Sequence, residues 1–148
     1  MTATRKQRRW SRDPTAALRL LHGARTFDPA SNTDAHLRTR ASLERLLDGT
    51  GDTDDFNRVA IALNLAKVRA LEIDPTLADA IEASQDAMTA LRRRFERWGK
   101  WDATPAEREC ITYAIDANEV IVDASTPLQM ERAARVVLDV HAKQREKS

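Results

Sequence analysis

Residues 54–73 constrain the fold of this chain more than any other stretch. Drawn as a helix with about 100° between successive residues, they place apolar side chains on nearly every side. The bulky members of this set are Phe56, Val59, Ile61, Leu63, Leu65, Val68 and Leu71, with alanines between them. A helix that is apolar all round is buried all round. We therefore expect this segment to be the central helix of an all-helical domain, with Leu63 in the middle of the core.

Helix-start signals recur along the rest of the chain. Four of the predicted helices start where an Asp or Thr, whose side chain can cap a helix N-terminus, stands directly before a proline, which suits the first helical position. These starts are Asp13-Pro14, Asp74-Pro75, Thr104-Pro105 and Thr126-Pro127, and Glu107 and Gln129 complete capping boxes in the last two. Thr33 and Thr53 supply two further caps, and the glycines at positions 49, 51 and 99 are typical of helix ends. The signals predict helices over residues 13–21, 33–48, 54–73, 75–98, 104–123 and 126–142.

Length and composition fit one helical domain. The chain has 148 residues, of which 42% are hydrophobic, with only four Gly and five Pro. We predict an all-α fold over residues 13–148, a single-domain helical bundle of five long helices plus one short N-terminal helix, with a frayed tail over residues 143–148. No run of about 18 apolar residues occurs, so no membrane span is expected. The single cysteine, Cys110, cannot form an internal disulfide, which favours a cytoplasmic protein.

Residues 1–12 form a basic arm. The arm contains five bases and no acid: Arg5, Lys6, Arg8, Arg9 and Arg12. We expect it to be flexible, because it has too little apolar surface to offset the entropy lost on ordering. The arm's candidate contacts to a partner, including the phosphates of a nucleic acid, are Arg5, Lys6, Arg8, Arg9 and Trp10. Residues 13–148 instead hold 19 basic and 23 acidic side chains, a net charge of −4, which argues against a broad duplex-binding face.

The predicted helix over residues 75–98 has an apolar seam along one side and a cluster of bases at its end. The seam recurs at spacings of four and three residues: Leu77, Ile81, Ser84, Met88, Leu91, Phe95 and Trp98. Arg93, Arg97 and Lys100 point away from the seam, and Trp101 follows the helix. One interpretation is that the helix dipole favours bases at this end, by about 0.3–1 kcal/mol for each charge.

The other interpretation is that Arg93, Arg97, Lys100 and Trp101 form a partner-binding surface, since Arg and Trp are enriched in binding hot spots. Trp101 then decides between two arrangements. Its ring either stands exposed for a partner or packs back as a cap on the helix junction.

No stretch carries a catalytic or cofactor signature, so we expect a protein without enzymatic activity, cofactor or metal. Asp116, Glu119 and Asp123 share one helical face, but a magnesium site also needs converging acids from a second helix, and no such acid pair is evident. We expect these three to form a solvated face. Polar side chains interrupt apolar arcs at three other positions: Asn64, Lys67 and Asn118. Buried amides need partners, so these residues form either a network that sets helix register or the lining of a ligand pocket.

Three features stand out beside the helix pattern. They are the basic arm ahead of Asp13-Pro14, the run Ala62-Leu63-Asn64 in the central helix, and Gly99-Lys100-Trp101 before an acidic, Ala-rich helix. Together they resemble small uncharacterised proteins encoded by phages and prophages of proteobacteria. The resemblance implies a mobile-element origin and a bacterial cytosol.

We therefore predict a non-enzymatic binding protein that acts by protein–protein contact on a host protein or complex, as an inhibitor of host defence or regulation would. The alternative is a nucleic-acid-binding protein that grips phosphate with its basic arm.

Overall fold

A computed structural model describes residues 29–147, and all regular structure in this part of the chain is helical. Its five helices are α1 (Pro29–Asp48), α2 (Thr53–Ile73), α3 (Pro75–Trp98), α4 (Pro105–Asp123) and α5 (Pro127–Lys147). The prediction of an all-α fold with five long helices is thus confirmed for these residues. The basic arm and the predicted short helix over residues 13–21 lie outside the described residues.

Three helix starts are formed by the residues that the sequence indicates. They are Asp74 with Pro75 for α3, the capping box of Thr104 and Glu107 for α4, and that of Thr126 and Gln129 for α5. At the end of α3, Gly99 adopts the left-handed conformation, with φ of 70°, that a residue with a Cβ rarely takes. Each of these signals acts between residues at most four apart along the chain, which is why the sequence alone reveals them.

Other predicted helix ends are wrong. α1 begins at Pro29, four residues before Thr33, and α5 continues as a helix through the last described residue instead of ending near residue 142. The N-cap of α2 is Asp52 rather than Thr53. The Asp52 side chain accepts a hydrogen bond from the backbone N–H of Asp55 at 2.9 Å, and the Asp55 carboxylate accepts one from the N–H of Asp52 at 3.1 Å. This reciprocal pair favours Asp52 over its neighbour as the cap.

α2 is the central helix, as predicted, because it packs against each of the other four helices. Leu63 is buried in the main apolar cluster, which α1, α2, α3 and α4 build together. The expectation that α2 is buried all round is wrong, since Ile61, Leu71 and Ile73 are exposed. The contact with α5 is a separate, smaller cluster, formed by Leu65, Met130, Ala133 and Ala134. Part of the apolar surface of α2 therefore stays open.

Polar contacts join α2 to α3. The Gln85 amide donates to Asn64 Oδ1 at 2.8 Å, and Lys67 Nζ lies 3.0 Å from a carboxylate oxygen of Glu82. Asn118 is buried on α4. For Asn64 and Lys67 the structure thus supports the register-setting network rather than a ligand pocket, because their partners are side chains of the neighbouring helix.

Candidate partner-binding surface at the end of α3

Trp101 lies in the core, so the expectation that it belongs to a partner-binding surface is wrong. Only 5% of the residue is exposed. Its ring is stacked between Phe56 of α2 and Phe95 of α3, with centroid distances of 5.2 and 3.9 Å. The indole N–H donates to the backbone carbonyl of Gly51 at 3.0 Å. The segment after α3 therefore turns back across the end of the bundle, and Trp101 seals the junction between α1, α2 and α3.

The apolar seam predicts that Trp98 is buried, and this prediction is wrong. It is 63% exposed, and the guanidinium carbon of Arg97 lies 5.1 Å from its ring centroid. The seam ends one turn earlier, at Phe95, because Trp101 fills the space beyond it. α4 does not cover Trp98 either. Its first turn lies beside Arg94, which pairs with Glu107 of α4 and precedes Trp98 by about one turn of α3.

The bases at this end of α3 differ in whether they have an acidic partner. Arg92 pairs with Glu96 within the helix at 3.0 Å, and Arg94 pairs with Glu107 of α4. Arg93, Arg97 and Lys100 make no ion pair with any residue in the described part of the chain. We call Arg93, Arg97, Trp98 and Lys100 the α3-end surface.

The α3-end surface combines an exposed aromatic ring with three cations that have no counter-charge among residues 29–147. The helix dipole stabilises bases near a helix C-terminus and accounts for part of this placement. It does not account for a tryptophan that is left in water, because a large apolar ring is stabilised by burial. The surface is suited to bind a group that offers carboxylates around an apolar contact.

The three acids of α4 contact α1, which the predicted solvated face did not include, although the Asp116 and Asp123 side chains stay more than half exposed. Arg40 of α1 pairs with Asp116 and, at 2.6–2.7 Å through two nitrogens, with Glu119. Asp123 accepts hydrogen bonds from Asn32 at 3.3 Å and contacts the ring of His36 at 3.0 Å. The two carboxylates, first Glu119 and then Asp116, raise the pKa of Arg40 further above its ordinary value. Asn32, His36 and Arg40 are spaced four residues apart, which places them on one helical face, but this spacing does not indicate which helix the face contacts.

A second ionic cluster lies where α1 meets the start of α2. Arg45 binds both carboxylate oxygens of Asp55, the shortest contact being 2.7 Å, and Arg58 donates to Ser42 at 2.8 Å. Asp55 is buried. The hydrogen bonds from Arg45 are the main cause that holds the pKa of Asp55 well below its ordinary value. This carboxylate is charged at neutral pH and ties α1 to α2.

Three features of residues 29–147 bear on catalytic chemistry: possible metal ligands, an open depression and the cysteine Cys110. No group of three or more His, Cys, Asp or Glu side chains is placed to hold a metal ion within this range. An open depression of about 530 Å³ is lined by α4 alone, so groups from different helices do not converge there. Burial raises the pKa of the Cys110 thiol, which makes it a poorer nucleophile at neutral pH.

None of the five helices is long and apolar enough to cross a bilayer. The arm residues Arg5, Lys6, Arg8, Arg9 and Trp10 lie outside the described residues. No protein family, curated protein or solved structure matches this chain significantly.

Proposed function

We propose that this chain is a non-enzymatic binding protein of phage or prophage origin that acts by protein–protein contact through the α3-end surface. The observation that carries the proposal is Trp98, which is 63% exposed with the Arg97 guanidinium over its ring. Tryptophan and arginine are the residues that most often dominate binding energy at interfaces, where their large flat groups are desolvated together.

The same chain buries its other described tryptophan and satisfies its indole N–H. Exposure of Trp98 therefore does not follow from a general lack of apolar cover. A fully buried tryptophan removes roughly 150–250 Å² from water, and a partner at this position would cover the part of Trp98 that the described residues leave open. Arg93 and Lys100 extend the contact with two further cations.

Charge indicates the chemistry of the partner. Three cations that have no acidic partner in the described part of the chain fit a protein surface that carries Asp and Glu around an apolar recess. A nucleic acid fits less well, because residues 29–147 hold 17 basic and 21 acidic side chains, a net charge of −4. The resemblance to phage and prophage proteins supports a host protein or complex as the partner, with inhibition of host defence or regulation as the outcome.

The alternative function, nucleic-acid binding through the basic arm, rests on the five bases and no acid of residues 1–12. Those five charges set an upper limit of roughly −4.5 on the slope of log K against log salt, at about −0.9 for each phosphate neutralised. A steeper slope would require phosphate contacts from the helical body as well.

A pull-down from bacterial lysate, with and without nuclease, separates the two functions. The wild-type chain is compared with Trp98→Ala and with Tyr113→Ala, which removes a similarly exposed aromatic ring from α4 as a matched control. We expect a captured protein that survives nuclease, is lost with Trp98→Ala and is retained with Tyr113→Ala. With that protein purified, Trp98→Ala should weaken binding by at least about 2 kcal/mol. Arg93→Glu and Arg97→Glu should slow association in a salt-dependent manner.

Two results would contradict the proposal. Equal capture by wild type and Trp98→Ala would show that the α3-end surface is not the contact. Loss of all captured material after nuclease treatment would instead support the arm-mediated alternative.

A further inference from the structure

The two halves of α1 are held to the bundle by different forces. Its C-terminal half supplies Leu43 and Leu46 to the main core, with Leu47 packed against them. None of residues 32–42, the part of α1 before Leu43 whose side chains the structure describes, belongs to either apolar cluster. The one bulky apolar side chain in the N-terminal half, Leu37, is exposed.

Among the residues whose side chains are described, polar contacts with α4 take the place of apolar packing in the N-terminal half. Asn32, His36 and Arg40 follow one another at four-residue spacing and therefore share one face of α1. They meet Asp123, Glu119 and Asp116 of α4 in that order, so the two helices run antiparallel. The result is a ladder of ionic and polar contacts along about two turns.

The partners in this ladder differ in how far they are open to water. The Asp116 and Asp123 side chains are more than half exposed and that of Arg40 is more than a third exposed, whereas those of Glu119 and His36 are largely covered and Asn32 is buried. Ion pairs that are open to water contribute little to stability and are weakened further by salt, whereas the Arg40–Glu119 pair is bidentate and is the strongest contact of the ladder. Most of the stability of a helix in a protein comes from tertiary packing, so we expect residues 29–41 to lose their helical structure once these contacts are lost.

We propose that residues 29–41 form an ionic latch that leaves α4 as one unit when ionic strength rises, while the rest of the bundle stays folded. The latch opens at the boundary with Ser42, where α1 enters the core. Its opening frees Arg40 and three carboxylates of α4. The inference is independent of the proposed function, since the latch and the α3-end surface share no residue.

Backbone hydrogen exchange on the full chain, followed residue by residue by NMR at about 0.1 M and about 1 M NaCl, tests the latch. Over this range the screening length falls from roughly 10 Å to roughly 3 Å. We expect the amides of residues 33–41 to share one exchange rate, at least about tenfold faster than that of Leu43 to Leu47, and to exchange faster still in high salt. The amides of α2 should not respond to salt.

Ordinary fraying of a helix end gives a different result. Exchange would then slow gradually from Pro29 inward, without a step at residue 42 and without a response to salt. That outcome would overturn the proposal, as would protection of residues 33–41 equal to that of α2.

Three variants test whether the salt response of hydrogen exchange comes from the ladder. Arg40→Gln should reproduce the high-salt exchange rate at low salt and remove the salt response, whereas Arg135→Gln, which removes an ion pair within α5, should change neither. The charge exchange Arg40→Glu with Glu119→Arg should restore part of the protection. A folded Arg40→Gln protein with unchanged exchange would refute the latch. If that variant does not fold, the salt series on the wild-type chain decides the question.

Discussion

Trp98 and Trp101 are three residues apart, and yet one lies on the surface and the other in the core. Trp98 is 63% exposed and touches the guanidinium of Arg97, whereas Trp101 is 5% exposed and is stacked between two phenylalanine rings. Both are preceded by a base and lie near a helix end. What separates them is the path of the backbone after Gly99, which brings Trp101 back over the bundle and leaves Trp98 beyond the start of α4. Residue type and local sequence do not decide burial here.

The largest difference in stability is expected when the same substitution is made at a buried and at an exposed position of α2. Leu63→Asp puts a carboxylate without a partner into the main core, so we expect the domain to unfold. Leu71→Asp introduces the same charge at an exposed position of the same helix and should cost no more than about 1 kcal/mol. Circular dichroism and thermal melting measure both. A Leu63→Asp protein with unchanged melting temperature would show that α2 is not the central helix.

Alanine substitution of the two tryptophans tests the contrast directly. Trp101→Ala should cost about 3–5 kcal/mol, because it opens a cavity between Phe56 and Phe95 and removes the hydrogen bond to Gly51. Trp98→Ala should stay within about 0.5 kcal/mol of wild type. Urea unfolding gives both free energies. Comparable losses at the two positions would mean that Trp98 also packs into the fold, and the α3-end surface would lose its central residue.

A buried and an exposed acid extend the contrast from aromatic rings to charges. Asp55→Asn should destabilise the protein by about 1.5–3 kcal/mol at neutral pH, since it weakens the hydrogen bonds from Arg45 and the capping box. Asp54→Asn, at the exposed neighbouring position, serves as the control.

The pH dependence of stability follows from the lowered pKa of Asp55. Folding holds that pKa below its ordinary value of 3.8, so the carboxylate stabilises the native state above this value. The contribution is lost as pH falls below it toward the lower pKa of the folded state. Urea unfolding at several pH values between about 2 and 6 should therefore show a steeper acid loss for wild type than for Asp55→Asn. Parallel curves for the two proteins would show that Asp55 does not supply this term.

The smallest effect on stability is expected from deleting the arm, which contains the third tryptophan, Trp10. Deleting residues 1–12 should shift the melting temperature by no more than about a degree or two, because the arm has little apolar surface to bury. Differential scanning calorimetry of the full and shortened chains makes the comparison. A fall of several degrees would show that the arm contributes to stability, so that Trp10 would resemble Trp101 rather than Trp98 in its effect on folding.

The candidate surface was predicted only in part. Arg93, Arg97 and Lys100 were identified from the outward face of one helix, a property of spacing that the sequence contains. Their aromatic companion was misidentified. Heptad spacing extends the seam to Trp98, but spacing does not tell where the neighbouring helix begins or which residue of a connecting segment folds back. The sequence also provides no indication of a partner for the carboxylate face of α4, because Arg40 lies 76 residues away from Asp116 along the chain.

The sequence by itself determined the all-α class, the central place of α2 and most helix boundaries. These properties depend on apolar periodicity and on caps whose partners are at most four residues away, as in the box of Thr104 and Glu107. Only the tertiary structure decided which of Trp98 and Trp101 is buried, which acids meet Arg40 and Arg45, and which described part of α1 supplies side chains to the apolar core. Each of those outcomes depends on where one helix ends relative to another. That relation is set by the packing of the whole bundle, and no short stretch of the chain contains it.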